Sequence, residues 1–191
     1  RQRQMCIRDR LYHGLGSGKT CSAITICEEY RLQNTNYNKD HKILVIASKN
    51  VQDNFRVQLF DERKLELING LWNITGCVSQ SLANEVNPTF MKNIKKSQMI
   101  RQINVLIDKH YQFLGYRQFG NMVARKLELL RKQTKIDPKS FKVKEKQVLK
   151  QMFSNRLIVI DEVQNIRTNK GKEDMESIDV DEKVFQLLMS I

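Results

Sequence analysis

Proline is scarce in this 191-residue chain, which has two, and glycine (eight) and tryptophan (one) are also few. That excludes collagen-like and Pro-rich architectures. Long apolar stretches are missing as well. The longest, Ile43 to Ala47 and Leu157 to Ile160, fall far short of a membrane-spanning helix. The four cysteines have no paired spacing, which argues against a disulfide framework and offers no zinc pattern. No internal repeat and no low-complexity tract appears. What is present is 40% apolar residues, enough for a core and too many for a disordered tail. The length fits one sizeable domain. These features describe a basic intracellular domain that is not secreted.

The formal net charge is +12, and it is unevenly spread. Residues 11–91 hold eight basic and eight acidic groups, whereas residues 92–150 hold sixteen against four. Residues 151–191 are acidic, with five against eight. The central excess reads either as a solvated helical surface or as a phosphate-facing patch, since clustered Lys and Arg drive polyanion binding. Residues 1–10, RQRQMCIRDR, resemble one reading frame of a sequencing-library adapter and are set aside as a non-native scar. Fold reasoning therefore runs over residues 11–191.

Lys42 to Ala47 and Leu157 to Ile160 are β-branched runs bounded by polar residues, which predicts buried strands. Their continuous apolarity suits parallel strands covered on both faces. Leu71 to Cys77 and Tyr111 to Tyr116 are further strand candidates. Helical spacing joins Thr20, Ala23, Ile24, Cys27 and Tyr30, then Val51, Phe55 and Leu59. It recurs over Met99, Ile100, Ile103, Leu106, Ile107, His110 and Tyr111, over Phe119 to Leu130, and over Val180 to Ile191. Gln133 to Phe141, with Pro138, reads as a linker, and Asn169 to Asp179 as an acidic loop. The alternation predicts an α/β domain with a mainly parallel sheet flanked by helices and a basic helical insertion over residues 92–150.

Two motifs carry chemistry. His13 to Thr20 reads HGLGSGKT, a Gly-rich turn followed by a helix. In a phosphate (Walker A) loop the backbone N–H groups close around phosphate oxygens, and the helix N-terminus adds its positive dipole. Gly14, Gly16, Ser17, Gly18, Lys19 and Thr20 are the candidate nucleotide-binding residues. Lys19 suits the β- and γ-phosphates, and the Thr20 hydroxyl suits Mg2+. The strict pattern places glycine where His13 stands, so His13 stays unassigned. The second motif is LIVIDEVQ over residues 157–164, an apolar strand ending in two carboxylates. Asp161 is the candidate second Mg2+ ligand and Glu162 the candidate base for the attacking water.

GxGKT followed by DEVQ resembles the first motor domain of superfamily 2 helicases and translocases. The strings LYHGLGSGKTCSAI, VIASKNVQDNFRVQLFDERKLELINGLWNI, YQFLGYRQFGN and LIVIDEVQNIR are similar to the helicase-like ATPases of large DNA viruses. That group is related to poxvirus early transcription factor and nucleoside triphosphatase proteins. The resemblance implies a RecA-like domain that binds ATP and Mg2+ and engages nucleic acid, DNA before RNA. It implies work inside the cell, in host cytoplasm or virion core, beside viral transcription machinery and away from membranes. By position, Ser48, Lys49, Asn50 and Asn54 match the motif that touches the nucleic-acid backbone. Asn50 has a second reading, as the cap of the helix that follows. Gln164 stands where the family usually has His and marks the coupling position. The family's second RecA-like domain, which supplies a catalytic arginine, is expected beyond Ile191, so the 191 residues alone are expected to hydrolyse ATP barely.

Two other readings stay open: a catalytically weak nucleic-acid-binding scaffold, and the motor subunit of a restriction-type enzyme. Cys21 and Cys27 read as small core residues, His110 as a packed histidine, and Trp72 as core. Glu28 and Glu29 read as solvated. Tyr116 and Phe119 are candidates for base stacking, with core packing favoured for Phe119.

Overall fold

The structure is a computed structural model, and it describes residues 18–33, 42–92, 94–133 and 138–161. Three strands, β1 (Ile43–Ile46), β4 (Tyr111–Leu114) and β5 (Ile158–Ile160), form a parallel sheet in the order β4-β1-β5. Ile43 aligns with Tyr111, and Leu44 with Ile158. The central strand β1 is buried at all four positions, as its unbroken apolar run predicts. Side chains alternate across a strand, so β1 feeds two cores. Ile43 and Val45 pack with α1 (Lys19–Gln33), α2 (Lys49–Leu59) and α4 (Lys96–His110). Leu44 and Ile46 pack with α5 (Tyr116–Gln133) and α6 (Pro138–Phe153). The sheet is therefore covered on both faces.

Between α2 and α4 lie an antiparallel hairpin, β2 (Leu65–Ile68) with β3 (Leu71–Ile74), and the helix α3 (Ser79–Val86). Asn69 and Gly70 close the hairpin with φ of 53° and 82°. Two consecutive left-handed residues make the turn that matches strand twist, and Asn-Gly is its preferred pair. Of this segment, only the run from Leu71 is anticipated in the sequence.

Several expectations need correction. Gln133 to Phe141 is not one linker, because α6 starts at Pro138. Proline is favoured at a first helical position, where its missing N–H costs nothing and its φ is already helical. Tyr111 opens β4, as the strand candidate has it, and so does not continue the preceding helix, while β4 ends at Leu114 and not at Tyr116. Cys21 is paired with Cys77 in a disulfide with Cα atoms 5.6 Å apart, while Cys27 is free and buried, as its reading as a small core residue has it. The stripe over Val180 to Ile191 and the loop over Asn169 to Asp179 lie outside the described residues.

Glu28 is also not solvated. It is buried, with Arg31 Nη2 at 2.7 Å and the Tyr111 hydroxyl donating to it at 2.6 Å. Arg31 reaches Glu85 of α3 as well, at 2.6 Å. Burial works against the Arg31 charge, but the bonds to Glu85 and Glu28 outweigh it and hold the guanidinium charged. Burial first, and then the Glu28 charge, push the Tyr111 hydroxyl up. The same two causes raise the Cys27 thiol to about 12.

His110 is buried beside this group. Burial, then the charges of Arg31 and Lys109, hold its imidazole below the ordinary range, against a smaller opposite pull from Glu85 and Glu28. The unfolded chain takes up this proton near pH ~6.5, and the folded chain does so only at lower pH. Between those points the unfolded state binds more protons, so stability falls as pH drops below ~6.5. In a melting series from about pH 7 to 5, His110→Gln is expected to flatten part of this acid loss. An unchanged acid limb would exclude His110 as its source.

Candidate functional site at the carboxyl edge

Ligands in open α/β sheets bind at the carboxyl ends of the strands. Here that edge is set by backbone bonds. The Ala47 N–H donates to the Leu114 carbonyl at 3.1 Å, and the Asp161 N–H donates to the Ile46 carbonyl at 3.0 Å. The turn from β1 into α2 therefore sits between the ends of β4 and β5. Two side chains brace it. Gln52 is buried and donates to the Ala47 carbonyl at 2.7 Å, fixing the strand-to-helix turn. Tyr116 donates from its hydroxyl to the Asp161 carbonyl at 2.7 Å, joining the start of α5 to the end of β5.

Three expected residues occupy this edge together. Ser48 is the exposed N-cap residue of α2 and makes no capping bond through its hydroxyl. Lys49 is exposed and ion-paired with Asp53 at 2.6 Å. Asp161 closes β5, half-buried. Asn50 lies in the first turn of α2, one residue past the start, so its reading as the cap is corrected: Ser48 holds that position. Asn54 is exposed one turn further on and accepts from Gln58 at 3.3 Å. Phe119 is buried against Phe153, their ring centroids 5.9 Å apart, which settles it as core. Trp72 packs against the core and donates through Nε1 to the Ile94 carbonyl at 2.8 Å.

Of the phosphate loop, Gly18, Lys19 and Thr20 are described, and Gly14, Gly16 and Ser17 lie outside the described residues. Gly18 has φ +84°, and a methyl group there would meet nothing within 4 Å. The need for glycine is thus conformational, not steric. α1 follows directly, with no acidic residue in its first turn. That helix end suits an anion. Lys19 is exposed and Thr20 half-buried. Glu162 and Gln164 lie outside the described residues.

α1 is fixed by ties elsewhere: Cys21 to Cys77, Arg31 to Glu85, Glu28 to Tyr111, and the Tyr30 hydroxyl to the Asn155 carbonyl at 2.7 Å. None of these joins Lys19 or Thr20 to Asp161. The amino edge of the sheet is bonded differently, through Arg156, which donates to the Lys42 carbonyl and to Gln112. Sequence reasoning misses Gln52, Tyr116 as a brace, and Arg156. Each acts on a partner that sequence spacing does not reveal, except Gln52, which lies five residues from Ala47.

A cavity of about 50 Å³ between β3, α3 and α4 is lined by Trp72, Asn87, Phe90 and Met99, away from the edge. It is too small for a nucleotide. Among the described residues no cluster of three His, Cys, Asp or Glu is gathered to hold a metal ion, and no helix is long and apolar enough to cross a membrane.

No protein-family model matches the chain, and no solved structure matches it. Among curated proteins, it is 24% identical over 161 residues to "Putative ATP-dependent RNA helicase R563" of Acanthamoeba polyphaga mimivirus. The aligned region covers 84% of this chain and 21% of that protein. The chain thus spans about a fifth of the length of the relative it matches. This distant similarity supports a helicase-like relationship.

Proposed function

We propose that the chain is the nucleotide-binding part of a nucleic-acid-dependent helicase or translocase with a RecA-like fold. The observation that carries the reading is that one sequence holds both GSGKT, whose Gly18 to Thr20 lead into α1, and DEVQ, whose Asp161 follows β5. The distant viral helicase supports it from outside. The donor set fits the group expected there: a positive-φ glycine before a helix N-terminus suits phosphate, and a hydroxyl with a carboxylate suits Mg2+. In this reading Thr20 and Asp161 hold the metal, which when bound neutralises charge on the phosphates. Lys19 neutralises the γ-phosphate, Glu162 takes the proton of the attacking water, and Gln164 couples the site to the rest of a longer protein. Ser48, Lys49, Asn50 and Asn54 meet the nucleic-acid backbone. Which nucleic acid is bound follows from measuring both, since the viral relative is named as an RNA helicase.

ATPase assays on the longer protein, with and without DNA or RNA, test this. Stimulation by nucleic acid is expected. Lys19→Ala or Glu162→Gln is expected to lower turnover on the order of a hundredfold, as for loss of one transition-state contact. Turnover that neither change affects would sink the reading.

A further inference from the structure

α5 and α6 form an antiparallel pair whose charge the proposed site leaves unused. Phe119 of α5 meets Phe153 of α6, and Arg131 lies over the Phe141 ring at 5.1 Å, so opposite ends of the two helices are matched. Their inner faces hold Phe119, Val123, Leu149 and Phe153 against the sheet. Their described side chains expose eight Lys and Arg, against the carboxylates Glu128 and Glu145.

The cations on α5 are ordered. At about 100° per residue, Arg117, Arg125 and Lys132 fall within an arc of about 80° opposite the buried face. Arg117 and Lys132 lie fifteen positions apart, about 22 Å along the helix. The row starts one residue after Tyr116, which is bonded to Asp161 at the carboxyl edge. It therefore continues outward from the edge that carries Ser48 and Lys49. The Lys132 pair with Glu128, at 2.7 Å, is exposed on both sides, and such pairs hold weakly. Arg131 is occupied in joining the two helices, while Lys146 and Lys150 on α6 add exposed positive charge.

We infer that the outer face of α5, flanked by α6, is a second nucleic-acid contact that tracks the phosphate backbone away from the carboxyl edge. It rests on the proposed function for the kind of polymer and not for the ATP chemistry. A row of cations about 22 Å long matches an extended polyanion spanning a large part of a duplex turn. Contacts of this type position the polymer and do not read its sequence.

The test is the salt dependence of binding to a labelled 20-base-pair duplex and to its single strand. The combined change Arg117→Gln, Arg125→Gln and Lys132→Gln alters exposed positions only. It is expected to reduce the slope of log K against log salt by about 2 to 3 on duplex, and to weaken binding on the order of a hundredfold at 0.1 M salt. The control Lys64→Gln, Lys92→Gln and Lys96→Gln removes equal charge elsewhere and is expected to leave the slope nearly unchanged. An unaltered slope in the first variant, or equal loss in both, overturns the inference. So does retained oligonucleotide binding with selective loss of binding to phosphatidylserine vesicles. Lys19→Ala separates the two proposals, since it should lower turnover on the order of a hundredfold and leave this binding intact.

Discussion

Replacing Arg31 by leucine is expected to cost about 3–5 kcal/mol of folding stability, the penalty of leaving one member of a buried ion pair behind. The member left behind is Glu28, whose side chain is 5% exposed. Tyr111 still donates to it, but a neutral hydroxyl does not offset a full charge. Glu85 can turn to solvent, since its side chain is 38% exposed, so it contributes less. The cost therefore comes from Glu28, and the paired change Arg31→Leu with Glu28→Gln is expected to recover most of it. Urea midpoints of the single and double variants check this. A double variant no more stable than the single one would show that packing of the guanidinium stem, not the orphaned charge, carries the effect.

Reduction of Cys21–Cys77 is the second large effect. The pair closes a loop of 56 residues, and the chain-entropy relation assigns such a closure ~4 kcal/mol. In a domain of this size that is a melting shift of about 10 °C. Thermal scans with and without dithiothreitol measure it, and Cys21→Ser should be insensitive to the reagent. Identical scans for the parent chain in both conditions would refute the tie. Cys21 directly follows Thr20, so the bond anchors the first turn of α1. In a reducing compartment the same two residues rest as thiols and the anchor is absent.

What the sequence makes legible follows from how local each signal is. β1 and β5 stand out because continuous β-branched runs have few other uses, and α4 stands out by four turns of regular apolar spacing. The β2–β3 hairpin carries a local signal too, Asn69-Gly70, but its strands are short and its faces mixed, so spacing alone passes over it. Pro138 reads as a breaker when it is a helix start, because the residue is compatible with both. Glu28 and Cys21 are misread for a different reason. Arg31 lies only three residues from Glu28, but Tyr111, which buries it, and Cys77, which pairs with Cys21, lie 83 and 56 residues away, beyond any local pattern. The candidate site divides the same way. Gly18 to Thr20 and Asp161 are legible as motifs, whereas the brace from Tyr116 to Asp161 spans 45 residues and comes only from the fold.

The central place of β1 has a consequence for how the chain is made. Its two neighbours are supplied by residues 111–114 and 158–160, so the earliest of the described strands in synthesis is completed last. At ribosomal rates of about 5–20 residues per second, Leu44 waits roughly 6–23 s for Ile158. During that interval Leu44 to Ile46 present an unpaired apolar edge, the kind that recruits other chains. Any truncated product ending before residue 158 carries that edge permanently, so shortened forms should aggregate more readily than the longer chain.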